Sequence, residues 1–461
     1  MLDSGDISDL ISLVGKDRVF SAPEDLVAYS YDASRAQNLP DIVTTPGSSE
    51  DVQKILRFAS ERRIPVYPRG SGTGMTGGSV PEQGGIALVM TSMNRILDID
   101  SRNLTARVQP GLILHEFKET VKKQGLFYPP DPASAKFASI GGTVAVNAGG
   151  LNSVKYGVTR DYVLSLEAVT PIGDILRFGA STMKSVTGYD MTRLLVGSEG
   201  TLAIITEITV KLIPHPRSRF TILASFTDDQ DALNTAQQIM EKGLIPCALE
   251  FMDETAVHCA RIYSGHPFLN HAAGVLLIEF DSLQENGMDL RQDISRAKEV
   301  LASCGALETR ETADPKEREE LWEIRKCLSP AVYEIAPSKL NEDICIPRSE
   351  MISVIQEIKT IARNHGINVV NFAHAGDGNI HVNFMYDGKN PEQADHAHRA
   401  VEELFRMTVK RRGTLSGEHG IGRTKLPFLS LEYGEGERKI MREIKKLFDP
   451  EGILNPNKSI M

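Results

Sequence analysis

The sequence predicts an α+β protein of two domains: a two-lobed N-terminal ligand-binding domain, then an antiparallel sheet covered by helices. Three observations carry this. At 461 residues the chain is longer than one core ordinarily organises. From Asp41 to Pro214, short β-rich runs alternate with dense Gly, Pro and Ser turns, whereas longer amphipathic helical patterns separated by strands follow. Between the two halves, Pro214-His215-Pro216-Arg217-Ser218 reads as a linker.

The elements follow in order. The N-terminal MLDSGDISDLISLVGKD is acidic and helical in pattern, and it lacks the basic and apolar regions of a secretion signal. Ser48 or Ser49 can cap a helix that ends before Ile64-Pro65, because a residue preceding proline avoids the helical conformation. GIALVMTS, TARVQPG, LSLEAVTP and LAIITEITVKLI supply strands. Beyond the linker, Asp229–Gly243 and Met288–Cys304 read as helices, AGVLLIEFD as a strand, and Gly436–Phe448 as a helix stopped by Asp449-Pro450.

Composition excludes several classes of function. Hydrophobic residues make up 41%, charged residues 24%, and the net charge is -10, which argues against a sequence-independent grip on nucleic-acid phosphates. No run of 18 apolar residues occurs, so no membrane span is expected. The odd, widely spaced set Cys247, Cys259, Cys304, Cys327 and Cys345 argues for reduced thiols in a cytoplasmic setting. It also argues against an iron–sulfur cluster on this chain, since such clusters need grouped thiolates.

The densest signal is Pro68-Arg69-Gly70-Ser71-Gly72-Thr73-Gly74-Met75-Thr76-Gly77-Gly78. Gly72 to Gly77 fits G-x-G-x-x-G, and Asp98 and Asp100 lie where a Rossmann acid would. A Rossmann turn must open a helix at once, however, and Gly-Gly-Ser-Val-Pro-Glu-Gln-Gly-Gly cannot. What survives is an anion nest, in which alternating glycines let successive N–H groups turn inward. Pro129-Pro130-Asp131-Pro132-Ala133-Ser134 with Ser139-Ile140-Gly141-Gly142 to Gly150 forms a second loop-like cluster, and Thr187–Asp190 with Val196–Leu202 a third. Three such clusters suit a long ligand with a diphosphate and two ring systems.

PRGSGTGMTGG, PPDPAS, IGGTVAVNAGG, KYGVTRDYV and LLVGSEGTLAIIT resemble the FAD-binding half of the FAD-linked oxidase family, with its vanillyl-alcohol-oxidase-type flavin fold. The resemblance is nearest to its D-lactate dehydrogenase and glycolate oxidase branch, and it runs in order through nearly the whole chain. It implies FAD held by Arg69, Gly70, Ser71, Gly72, Thr73, Gly74, Met75, Pro130, Asp131, Ser134, Ser139, Gly142, Asn147, Gly150, Glu199, Ile205 and Asn455. Ala203 and Asn457 replace glycines usual in the family, and residues 68 to 78 contain no histidine, so noncovalent FAD is expected. The implied division is 1–215 for the FAD-binding domain, 216–420 for a substrate- and metal-binding cap, and 421–461 returning to the FAD domain.

In the second half, Ile367–His374 and Ile380–Met385 read as strands joined by Gly376-Asp377-Gly378-Asn379. Closing on that loop sets His374 opposite His381 on one face, with Asn383 beside them. Gly417-Glu418-His419-Gly420 adds a carboxylate and an imidazole, so that His374, His381 and Glu418 could hold one ion with open positions. From spacing alone, core or surface histidines remain the alternative. HAGDGNIHVN and SGEHGIG match the family's metal and catalytic motifs, which implies Zn²⁺ first, with Mn²⁺ or Fe²⁺ also suited. His419 is then the proton acceptor, and Arg325 and Asn383 bind the substrate carboxylate.

The expected activity is oxidation of D-lactate or glycolate to the 2-oxo acid. Electrons would pass to an electron-transfer flavoprotein, an iron–sulfur subunit or a quinone-linked chain, and a homodimer is compatible. Asn341, where a lysine would suit a second carboxylate, favours these substrates over 2-hydroxyglutarate. The rivals are a D-2-hydroxyglutarate-type dehydrogenase, an O₂-using oxidase, a silent FAD electron-relay subunit and a zinc hydrolase without flavin.

Overall fold

A computed structural model describes residues 2–34, 36–285 and 287–460. The chain divides into two compact units. One runs from the N-terminus to Gly149 and adds Val158–Pro214 and the chain from Glu418 on; the other comprises Gly150–Gly157 and His215–Gly417.

The first unit holds a two-stranded pair of Leu126–Phe127 with Ile213–Pro214, and a four-stranded and a five-stranded sheet, which are its two lobes. In one, Ile42–Thr44, Ile86–Val89 and Val66–Arg69 run parallel, and Val19–Phe20 adds an antiparallel edge to Ile42–Thr44. The helix Ser49–Arg62 covers this sheet with Val52, Ile55, Leu56, Phe58 and Ala59. The Ser48 hydroxyl caps it by accepting from the Asp51 N–H at 3.2 Å, and left-handed Arg63 ends it just before Ile64-Pro65. The other lobe is antiparallel, in the order Ile96–Asp100, Thr105–Val108, Ile204–Lys211, Val163–Val169, Ile175–Gly179.

Residues 70–85 contain no helix, as the glycine and proline spacing requires. The IGGTVAV segment departs from the loop its glycines suggest and forms the helix Ile140–Val146. Ser139 caps it and Ile140 and Val144 are buried, so capping and burial outweigh the cost of two helical glycines, about 1 kcal/mol each.

The second unit is built on a seven-stranded antiparallel sheet. Its order is Glu308–Thr312, Ser218–Phe226, Gly274–Ser282, Ala248–Met252, Asn368–His374, Asn379–Tyr386, Ser338–Cys345. The helices Asp229–Glu241 and Arg291–Ser303 confirm two sequence expectations, although a 3₁₀ turn at Met288–Leu290 delays the second. Glu250, His374 and Asn379 lie in register across three neighbouring strands, and Phe372, His381 and Asp343 form the next such row. Registered residues share a face, so these polar groups converge on one side of the sheet.

The hairpin register differs from the expected one. Ala375–Gly378 forms the loop, His374 pairs with Asn379, and Phe372 pairs with His381. The N–H groups of Asp377 and Gly378 both donate to the His374 carbonyl, and Gly378 at φ 91° closes the turn one residue early. His374 and His381 are therefore diagonal neighbours on the same face, not directly opposed.

Candidate functional site

The strand Val66–Arg69 delivers the glycine loop of the first unit. A Cβ on Gly70 would stand 2.2 Å from the Ser139 Oγ, so a side chain here would displace the hydroxyl that caps the helix. The Ser71 Oγ is buried and has no hydrogen-bond partner among the described residues. Such a hydroxyl costs free energy unless a ligand satisfies it. The orphaned hydroxyl and the Cβ-free cradle fit a bound cofactor polar at this point, as the diphosphate of FAD is.

The other predicted cofactor residues divide by what their side chains already do. Arg69 turns inward, donating to the Tyr31 carbonyl at 2.7 Å and to the Ser79 hydroxyl. Burial lowers its pKa, against the pull of Asp32. Pro130 and Asp131 both accept from the Lys118 ammonium, and the Ser134 carbonyl accepts from the N–H groups of Phe137 and Ala138. Asn147 is left-handed, at φ 53°, and its Oδ1 accepts the Arg160 N–H. Ile205 sits in the Ile204–Lys211 strand beside Ala168. Gly150, at φ 131°, belongs to the second unit.

Glu199 and Asn455 serve the chain itself. The Glu199 carboxylate is buried and accepts from the N–H groups of Ile421 and Gly422 at 2.8 Å each, and from the Ser459 hydroxyl at 3.1 Å. Burial raises its pKa, and these donors oppose the rise. Asn455 donates to the carbonyls of Glu199 and Gly78. Together they clamp the turn that follows Glu418 and His419. The His419 carbonyl is further held by the Thr76 hydroxyl, and its Nε2 lies 3.8 Å from Glu418 Oε1, so the adjacent side chains lie on one side of the turn.

In the second unit, His374 Nε2 and His381 Nε2 are 3.3 Å apart, and both residues are buried. Two nitrogens bound tetrahedrally to one zinc at 2.0–2.1 Å would stand roughly 3.3–3.4 Å apart, so the pair fits a metal of that geometry. Among the described residues, these two imidazoles are of metal-ligating type, and Glu418 offers a carboxylate just past Gly417, where this unit ends. The turn before Glu418 is anchored in this unit: the Gly417 N–H donates to the Asp343 carbonyl at 3.2 Å and the Ser416 hydroxyl to its carboxylate, and Asp343 is the register partner of His381.

Glu250, which local sequence reasoning missed, sits at 0% exposure on the strand Ala248–Met252. Its Oε1 lies 2.7 Å from His374 Nδ1, and its Oε2 accepts from Arg325 Nε at 2.9 Å. The only sequence signal is an acid inside the apolar run Cys247-Ala248-Leu249-Glu250-Phe251-Met252. The Arg325 guanidinium also rests on the Phe372 ring, 4.5 Å from its centroid. Asn383 is fully buried, donating to the Val370 carbonyl and accepting from Asn341 at 2.8 Å, so its amide is held by the sheet. None of the five cysteines forms a disulfide among the described residues. No described helix is long and apolar enough to cross a membrane.

Comparison with known proteins agrees with this layout. Residues 40–179 match the FAD binding domain family, and residues 215–459 match the FAD linked oxidases, C-terminal domain. The glycolate oxidase subunit GlcD of Bacillus subtilis (strain 168) is 39% identical over 450 residues, covering 97% of this chain and 95% of its own. The D-lactate dehydrogenase of Anaerostipes hadrus is 35% identical over 430 residues, 91% and 89% of the two chains. A crystal structure of p-cresol methylhydroxylase with substrate bound shares the fold, with TM-score 0.80 at 18% identity over 99% of this chain and 97% of that one.

Proposed function

Because the chain belongs to the FAD-linked oxidase family, in the branch of glycolate oxidase subunits and D-lactate dehydrogenases, we propose that it oxidises a small D-2-hydroxy acid, D-lactate or glycolate, to the 2-oxo acid. The observation that carries the reading is the imidazole pair His374 and His381, set 3.3 Å apart and backed by Glu250. A flavin electron relay has no use for such a pair.

When bound, FAD supplies the hydride acceptor, and a divalent metal, zinc first, supplies a Lewis acid for the substrate hydroxyl. His374 and His381 would hold the metal through Nε2, with Glu418 as the carboxylate; three protein ligands suit a catalytic rather than a structural site. Hydrogen bonding of His374 Nδ1–H to Glu250 fixes the tautomer that leaves Nε2 free to coordinate. His419 takes the hydroxyl proton on an imidazole nitrogen, a task suited to a group that ordinarily titrates near neutrality. Arg325 takes the substrate carboxylate with its terminal nitrogens while its Nε stays with Glu250. Glycine N–H groups from Gly70 to Gly74 would take the FAD diphosphate, and the Ser71 hydroxyl would donate to it. The electrons leave to a protein or quinone partner, since five scattered thiols offer no cluster ligands.

Elemental analysis after zinc loading and gel filtration tests the ligand set. The expected result is one zinc per chain in the wild type, lost in His374→Ala while FAD stays bound. Equal zinc in the variant would remove His374 from the set.

A further inference from the structure

We propose that Glu250 is a positioning residue, which ties the metal site and the substrate-carboxylate site to one rigid anchor. The inference rests on the roles proposed above for His374 and Arg325.

Its position is unusual for an acid. The neighbours Ala248, Leu249, Phe251 and Met252 are all buried, and Glu250 itself is fully enclosed at the centre of the sheet. An ionised carboxylate there is tolerated only when both oxygens are well partnered. One oxygen holds the ring of His374, and the other holds the guanidinium of Arg325. The two partners come from different elements, the strand Asn368–His374 and the helix Pro315–Lys326.

The bond to His374 sets the ring's orientation. The bond to Arg325 Nε fixes the plane of the guanidinium, and the Phe372 ring supports that plane. No hydrogen bond engages the Arg325 terminal nitrogens among the described residues, so the fork is left to take a carboxylate. One buried acid thus sets the metal ligand and the carboxylate clamp relative to each other, which is what aligns the hydroxyl and carboxylate ends of a 2-hydroxy acid.

The Pro315–Lys326 helix has its own separate anchor. Arg318 and the Trp322 Nε1 both donate to Glu279 on the strand Gly274–Ser282. Glu250→Gln therefore leaves the helix seated, and it keeps the side chain's volume. A Gln in its place turns its carbonyl oxygen to only one of the two and its NH2 group, a donor, to the other.

Zinc affinity of the FAD-loaded protein, measured by competition with a chromophoric chelator, and the KM for glycolate or D-lactate test the proposal together. In Glu250→Gln, zinc affinity is expected to fall about 10–100-fold, with KM raised about 10-fold and FAD affinity unchanged. Arg325→Lys, which keeps a charge beside Glu250 but loses the fork, is expected to raise KM and leave zinc affinity alone. Wild-type zinc affinity and KM in Glu250→Gln, with only the unfolding midpoint lowered, would overturn the positioning role and leave the metal reading standing. A wild-type protein that binds no zinc would overturn the metal reading and this proposal with it.

Discussion

The clamp on the Glu418-His419 turn offers a sharp prediction. Glu199→Ala removes a buried carboxylate that accepts two backbone N–H groups, from Ile421 and Gly422, and the Ser459 hydroxyl. The hydroxyl can rotate to another partner, but the two N–H groups cannot. Each orphaned buried donor costs about 1–3 kcal/mol, so a net loss of about 3 kcal/mol is expected. In a unit of this size, that lowers the unfolding midpoint by about 6–12 °C. The second consequence is functional. The N–H groups of Ile421 and Gly422 tie the turn after His419 to Glu199; without them it is left to Thr76, whose hydroxyl donates to the His419 carbonyl and whose own carbonyl accepts from Arg423 and Thr424, and to the Ser459 N–H on the Gly422 carbonyl. A shift of about 1 Å in a proton acceptor costs about 100-fold in rate. Scanning calorimetry reads the first effect, and anaerobic stopped-flow reduction of the flavin by substrate reads the second, with FAD content checked in the same sample. An unchanged midpoint and an unchanged reduction rate would refute the reasoning, because they would mean the carboxylate holds nothing.

Two further outcomes follow from the same geometry. Gly70→Ala puts a methyl 2.2 Å from Ser139 Oγ and is expected to weaken FAD at least 10-fold in a fluorescence titration, whereas Gly70→Ala with Ser139→Ala recovers part of the loss; equal affinities in all three proteins would contradict the close approach. Burial raises the Asp253 carboxyl to about 6, so its protonated form is favoured by folding and its contribution is present at low pH. That contribution, about 3 kcal/mol, is lost as pH rises from about 4 to about 6. Urea unfolding at pH 4.5 and 6.5 should show wild type losing stability relative to Asp253→Asn over this interval, and a gain would refute the sign.

Much of this was legible in the residues, for local reasons. The helix Ser49–Arg62 announces itself by a capping serine and a proline past its end, and structure and sequence agree there. His374 and His381 share a face because strand periodicity and a glycine turn leave few other arrangements. The exact pairing was not legible, since Gly376-Asp377-Gly378-Asn379 could close with either of two registers, and backbone bonds to the His374 carbonyl decided it. The Ile140–Val146 helix was hidden by glycines whose cost burial outweighs. Glu250 was hidden more deeply, because its partners lie 124 and 75 residues away and no periodicity links such distant groups. The side chains of Arg69 and Glu199 sit inside sequence motifs that point to a cofactor, yet their hydrogen bonds serve the protein.

The most direct test of the account is anaerobic mixing of the FAD- and zinc-loaded protein with D-lactate, glycolate and L-lactate, read as loss of the flavin's visible absorbance. Bleaching by D-lactate or glycolate, and none by L-lactate, is the predicted result. Bleaching by L-lactate alone, or by none of the three, would contradict it.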